Sequence, residues 1–370
     1  MLILTTYMQP PWNYGEVTLP RNLVLALALR GLNIKVFSIY RCSNNEQYNN
    51  DYRFPDNVSL SYFKNDIELL KCALRNSKNN SIHVMSFSFT KASLLRLATQ
   101  STMFFYVYSP IPNILGGLVK AKAYLKAIIG YNTSRLVGRL ITTSPYIYDN
   151  VIKKVTIPAN DVYLIPAPIY FPGNYLRSDE KDTNYDLRIL YMGHISPYRF
   201  PYKQIMKAIT ELKKSRLSVF LKVIVPALQS NYKNFSMLRS TLEHNKDICI
   251  EFRNLNEHEK LLEFASSDVY LYPSLGVAAV DPPLSVLEAM FCGCLVIATN
   301  VQSIPWILNK GRGIIINKLN FSEELTKALS IALDKKGRKK IVDNAKAYVT
   351  SVHSIESVSK KLGNIISGSL

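Results

Sequence analysis

The chain has 370 residues, 48% of them hydrophobic and 19% charged, with 15 glycines and 18 prolines, a composition that excludes disordered, collagenous and low-complexity proteins. At about 150 residues per domain, this length suggests two domains. Lys and Arg outnumber Asp and Glu by 45 to 27, a formal charge of +18, which raises nucleic acid, phosphorylated substrates and membrane surfaces as partners without choosing among them. A general preference for Lys, Asn, Ile and Tyr would explain the charge equally well.

The first segment, LILTTYM, is an apolar β-rich run that ends in the turn-forming QPPWNYGE. In TLPRNLVLALALRGL the apolar positions recur at helical spacing, and IKVFSIY is again a strand pattern. Strand, loop, helix, glycine and strand predict a βαβ unit of a parallel sheet. SIHVMSFS and TMFFYVYS follow as strands, LITTSPYIYDNVIKK as strand and helix, and YLIPAPIYF closes the series. The polar segment GNYLRSDEKDTNYD then predicts a linker or a long loop.

The pattern restarts at LRILYMG, a strand ending in Gly193, and continues with the helix around KQIMKAITELKKS and the strand SVFLKVIV. CIEFRNL, EHEKLLEFASS, DVYLYPS, LSVLEAMFCG, LVIATN and GRGIIIN keep strands and helices alternating. Two doubly wound α/β domains are expected, near 1–170 and 187–345, with a helical segment at 346–370 that packs back towards the first domain. Ligands of such sheets bind at the carboxyl ends of the strands, so a small molecule is expected in the cleft between the domains.

No window of 18 uninterrupted apolar residues occurs, and MLILTTYMQPPW lacks a basic region and a small-residue cleavage site. Neither a spanning segment nor an export signal is therefore expected. The five cysteines, at 42, 72, 249, 292 and 294, include no C-x-x-C pair, which fits a reduced, cytoplasmic compartment and no zinc site. Between Leu69 and Tyr148 there is no Asp or Glu but there are ten Lys and Arg. Within that stretch, LGGLVKAKAYLKAIIGYNTSRLVGRL reads as a basic helical hairpin, and a peripheral contact with an anionic membrane is one use for it. Nucleic acid is not expected, because none of its recognition motifs occurs. His83, inside a strand pattern, reads as structural.

The segment SSDVYLYPSLGVAAVDPPLSVLEAMFCGCLVIATNVQSIPWILNKGRGIIIN carries, in order, a DVYLYPS strand, a helix with LEAM and CG, the strand VIAT, an Ile-Pro turn and a Gly-x-Gly strand. In this it resembles the family-4 retaining glycosyltransferases of the GT-B fold, and ILYMGHISPYR is similar to that family's glycine-containing strand and loop. The resemblance implies two Rossmann-like domains facing a cleft, a nucleotide sugar as donor, a glycan or lipid-linked acceptor, and no cofactor. No Asp-x-Asp is present, so no metal is expected.

Physical chemistry supports the same picture. The loop VDPPLSV delivers a helix N-terminus, with Leu284 and Ser285 at its start, whose free N–H groups suit a diphosphate. About a turn further on, Glu288 is assigned by the resemblance to the ribose hydroxyls; as an unassigned residue it would be a solvated helix glutamate. The family's first glutamate falls on Val280. Asp281 beside it is either a donor-positioning carboxylate or a helix cap. The family's phosphate-binding cations fall on His194 and Arg199, with Lys203 following, and Gly15 stands where backbone N–H groups approach the donor phosphates. The expected activity is hexose transfer with retention, with Asp281 and Arg199 catalytic. Val280, His194 and the absence of a later first-domain histidine keep open a catalytically impaired nucleotide-sugar-binding or scaffold protein of the same fold.

Overall fold

The computed structural model describes residues 1–5, 8, 15–39, 54–78, 80–85, 95–99, 101–108, 138–150, 162–171, 184–276 and 280–368. The chain forms two compact units. The first comprises Met1–Tyr170, Ala279–Pro282 and His353–Leu370, and the second Phe171–Ala278 and Pro283–Val352. Most of the basic hairpin expected from the sequence and most of the expected linker lie outside the described residues. No helix among the described residues is long and apolar enough to cross a membrane.

The first unit is built on seven parallel strands: β1 (Leu2–Thr5), β2 (Ile34–Ile39), β3 (Val58–Phe63), β4 (Ile82–Met85), β5 (Met103–Val107), β6 (Arg139–Thr142) and β7 (Val162–Leu164). Their order is β3-β2-β1-β4-β5-β6-β7. β1, β4 and β5 are buried along their whole length, as continuous apolar strands of a covered parallel sheet are. The edge strand β3 and the helix Asp66–Asn76 were missing from the sequence reading. VSLSYF alternates serine with apolar residues and is only half-buried, so it lacks the apolar run that marks the central strands. The helix starts at Asn65, whose Oδ1 accepts the N–H groups of Ile67 and Glu68, each at 3.0 Å.

YLIPAPIYF supplies only the short strand β7, because Pro166 and Pro168 have no N–H to give a ladder. The stretch instead docks the chain's end: Ile169 N–H donates to His353 O at 2.8 Å, and His353 Nδ1 lies 2.9 Å from Ala167 O. The helix Ile355–Ser367, opened by Ser354, packs on the helix Gly15–Ala28, and Arg139 donates to Ile365 O at 3.1 Å.

The second unit holds six parallel strands: β8 (Leu187–Met192), β9 (Val219–Val225), β10 (Ile248–Phe252), β11 (Val269–Tyr272), β12 (Leu295–Thr299) and β13 (Ile314–Ile316). They run in the order β10-β9-β8-β11-β12-β13. Ile189, Leu221, Val223, Val269, Leu271 and Ile297 form the centre of its core. The sequence reading also missed the helix Gln229–Leu242, because only Asn231, Phe235 and Leu238 of its polar sequence are buried. The boundary expected at 345/346 falls inside the helix Lys335–His353. That helix is pinned by a buried ion pair, Arg338 to Asp268 at 3.1 Å, while the other Asp268 oxygen accepts the Arg188 N–H at 3.0 Å.

Candidate active site

In the second unit the strand order reverses between β8 and β11, and a ligand of such a sheet sits at the carboxyl ends of those strands. The expected site residues of this unit belong to the segments that follow those two strands in the chain. β8 ends at Met192, and Gly193 follows with φ +153°, a conformation in which a side chain is strained. A Cβ there would also stand 3.3 Å from the Tyr191 hydroxyl. The turn brings His194 back beside Tyr191, whose hydroxyl donates to His194 O at 2.6 Å. Burial holds the Tyr191 hydroxyl well above the usual phenol range, partly offset by nearby Arg199, so it remains a donor.

His194 is half-buried, and its Nδ1 lies 2.9 Å from Asn231 Oδ1. Asn231 in turn donates to Pro226 O at 2.9 Å. The imidazole is thus held by the otherwise unnoticed helix Gln229–Leu242. The Arg199 backbone is fixed by its N–H to Ser196 O at 3.0 Å, and its guanidinium takes no hydrogen-bond or ion-pair partner among the described residues. Lys203 is exposed on the first turn of the helix Tyr202–Lys214.

The helix Leu284–Phe291 starts at Pro283, with no side chain capping it, so its first N–H groups stay available to an anion. Leu284 is buried, while Ser285 is hydrogen-bonded to Tyr270 of β11. The Tyr270 hydroxyl also donates to Met192 O at 3.3 Å. Tyr191, Tyr270 and Tyr272 therefore cluster on β8 and β11, with Tyr270 reaching the first turn of this helix. The sequence reading passed over them, although their aromatic positions in LRILYMG and DVYLYPS were visible signals.

Glu288 is not a solvated helix glutamate. It is buried, and its Oε1 is 2.6 Å from Nζ of Lys260 on the helix Glu257–Ala265. Lys260 was not singled out in the sequence, because KLLEF reads there as an ordinary amphipathic turn.

The remaining two expected residues belong to the first unit. Gly15 is the first residue of the helix Gly15–Ala28, and a Cβ added to it would come within 3.3 Å of the Val280 Cβ. Neither sequence expectation for Asp281 describes its geometry. It is fully buried, its N–H donates to Tyr108 O at 2.8 Å, and its carboxylate accepts from the Ser144 hydroxyl. It does not cap the helix, which begins three residues later with Pro283 at the cap position, and the carboxylate is committed to Ser144 inside the unit. His83 is likewise internal, fully buried and stacked on Phe104, with Nδ1 2.8 Å from the Tyr106 hydroxyl.

Residues 186–335 match the model of the glycosyl transferases group 1 family. The match covers most of the second unit. No curated protein matches the chain by sequence. Among solved structures, the Anabaena protein HepE in complex with UDP and glucose is 13% identical with a TM-score of 0.71, covering 99% of this chain and 98% of its own. Sucrose-phosphate synthase from Thermosynechococcus elongatus is 14% identical with a TM-score of 0.73, over 99% and 98%. WaaG, a glycosyltransferase involved in lipopolysaccharide biosynthesis, is 15% identical with a TM-score of 0.67, over 99% of both chains. These similarities show the GT-B fold for this chain.

Proposed function

We propose that this glycosyltransferase moves a hexose from a nucleoside diphosphate sugar to a hydroxyl of a glycan or lipid-linked acceptor, with retention at the anomeric carbon. The observation that supports this reading is that an uncapped helix N-terminus, Glu288 and Arg199, whose guanidinium takes no partner among the described residues, all belong to the segments that follow β8 and β11, the strands between which the order reverses. The helix N-terminus binds diphosphate oxygens through N–H groups, and Arg199 neutralises the charge that grows on them as the bond to the sugar breaks. His194 and exposed Lys203 add donors near the same strand end, and Glu288 accepts from ribose hydroxyls. The HepE complex with UDP and glucose supports a nucleotide sugar as donor, and the role of WaaG supports a lipid-linked acceptor. No cofactor enters this reading, and the protein acts in the cytoplasm, with its acid-free stretch from Leu69 to Tyr148 against an anionic membrane.

One observation favours a second reading, a nucleotide-sugar-binding protein impaired in catalysis. Where the family carries its first glutamate, this chain has Val280, buried against Gly15, and the neighbouring carboxylate is bound to Ser144. Incubation with a panel of UDP- and GDP-sugars, with released nucleotide measured, separates the two. Slow hydrolysis of one donor supports the transferase. Tight binding of a donor with no release, in the presence of lipid and glycan acceptors, would leave the binding protein.

A further inference from the structure

We infer that Lys260 is a positioning residue for nucleotide recognition, holding the Glu288 carboxylate aimed for the ribose. The inference rests on the ribose role proposed for Glu288. Lys260 Nζ lies 2.6 Å from Glu288 Oε1, and each side chain is only 9% exposed. Lysine is almost never this buried without a partner. A buried ion pair contributes little net stability, because desolvating two charges offsets their attraction, and apolar residues of the same size serve a fold as well or better. This pair is therefore poorly explained as a device for stability.

The surroundings show what it does instead. Lys260 stands on a helix whose start is locked by a capping box, with Asn256 Oδ1 accepting the Glu259 N–H and Glu259 accepting the Asn256 N–H, both at 2.8 Å. Its ammonium is thus presented from a rigid element to one carboxylate oxygen, leaving the second oxygen of Glu288 without a protein partner among the described residues.

The test uses UDP and 2′,3′-dideoxy-UDP as probes in calorimetric titrations of the full chain. The unmodified protein binds UDP about tenfold or more tighter than the dideoxy form, the discrimination expected of hydrogen bonds to a charged group. Lys260→Met reduces that ratio towards one, Lys260→Arg restores it, and the methionine variant raises KM for the donor with little change in kcat. Should Lys260→Met not fold, Lys260→Gln, which can still donate a hydrogen bond but carries no charge, lowers the ratio in the same way. A folded Lys260→Met or Lys260→Gln protein that keeps the full ratio while Glu288→Gln loses it overturns the role of Lys260 alone. A Glu288→Gln protein that keeps the ratio overturns the ribose reading, and this inference with it.

Discussion

The Ser144 hydroxyl donates to the carboxylate of Asp281, although 137 residues separate them in sequence. Ser144 also accepts the Ile147 N–H at 2.9 Å, so one hydroxyl ties the start of the helix Pro145–Asn150 to the Asp281 segment. Asp281→Ala removes the acceptor of a buried hydroxyl and should cost about 1–3 kcal/mol of stability. Asp281→Asn keeps one acceptor oxygen and should cost less. Denaturant melts of the two variants, with UDP affinity measured alongside, check this. Nucleotide affinity unchanged in both is the expected result, and a selective loss of donor turnover in a stable Asp281→Asn protein would return this residue to the donor site.

Glu288→Gln should act on both stability and binding. Its partner Lys260 is left charged and buried, a situation that costs on the order of 3–5 kcal/mol when a buried pair is broken. A solvated helix glutamate could be replaced with little harm to the fold; the ion pair reverses that expectation. Nucleoside diphosphate affinity should fall by roughly 1.5–3 kcal/mol in the fraction that remains folded. A melting curve and a titration on the same sample measure the two effects separately.

Arg199→Ala should lower donor turnover while leaving the affinity for the nucleoside without phosphates unchanged, since the guanidinium acts where phosphate oxygens gather charge. Because no group among the described residues pairs with its guanidinium, the melting temperature should not move. Equal losses for nucleoside and diphosphate would contradict the role.

His83 makes the first unit sensitive to acid. Burial, with a smaller contribution from the N-terminal ammonium, lowers its pKa from 6.5 to about 3, so the native state keeps it neutral while the unfolded chain takes up a proton below pH 6.5. Stability is therefore fully present above pH 6.5 and is lost as pH falls from there towards 3, by about 1.4 kcal/mol for each pH unit. At pH 5 the loss from this group is about 2 kcal/mol. Denaturant titrations of the unmodified protein and of His83→Phe at pH 7.5 and 5 should show a smaller pH dependence in the variant. Equal dependence would show that His83 is not the group responsible.

The sequence by itself determined the two parallel α/β domains, since LILT, IHVM, MFFYV, LRILYM and LVIAT are continuous apolar runs that only a sheet covered on both faces can bury. It also placed His194, Arg199 and the start of the LSVLEAM helix at strand ends, because in a doubly wound sheet those positions follow from local order along the chain. The edge strand VSLSYF and the helix Gln229–Leu242 were not legible, as partly exposed elements carry weak periodicity. Only the tertiary structure decided where the carboxylates go. Asp281 meets Ser144, Glu288 meets Lys260, and Asp268 meets Arg338, at separations of 137, 28 and 70 residues. Such pairings depend on which helix faces pack together, and a buried charge finds its counter-charge through space, where spacing along the chain leaves no trace.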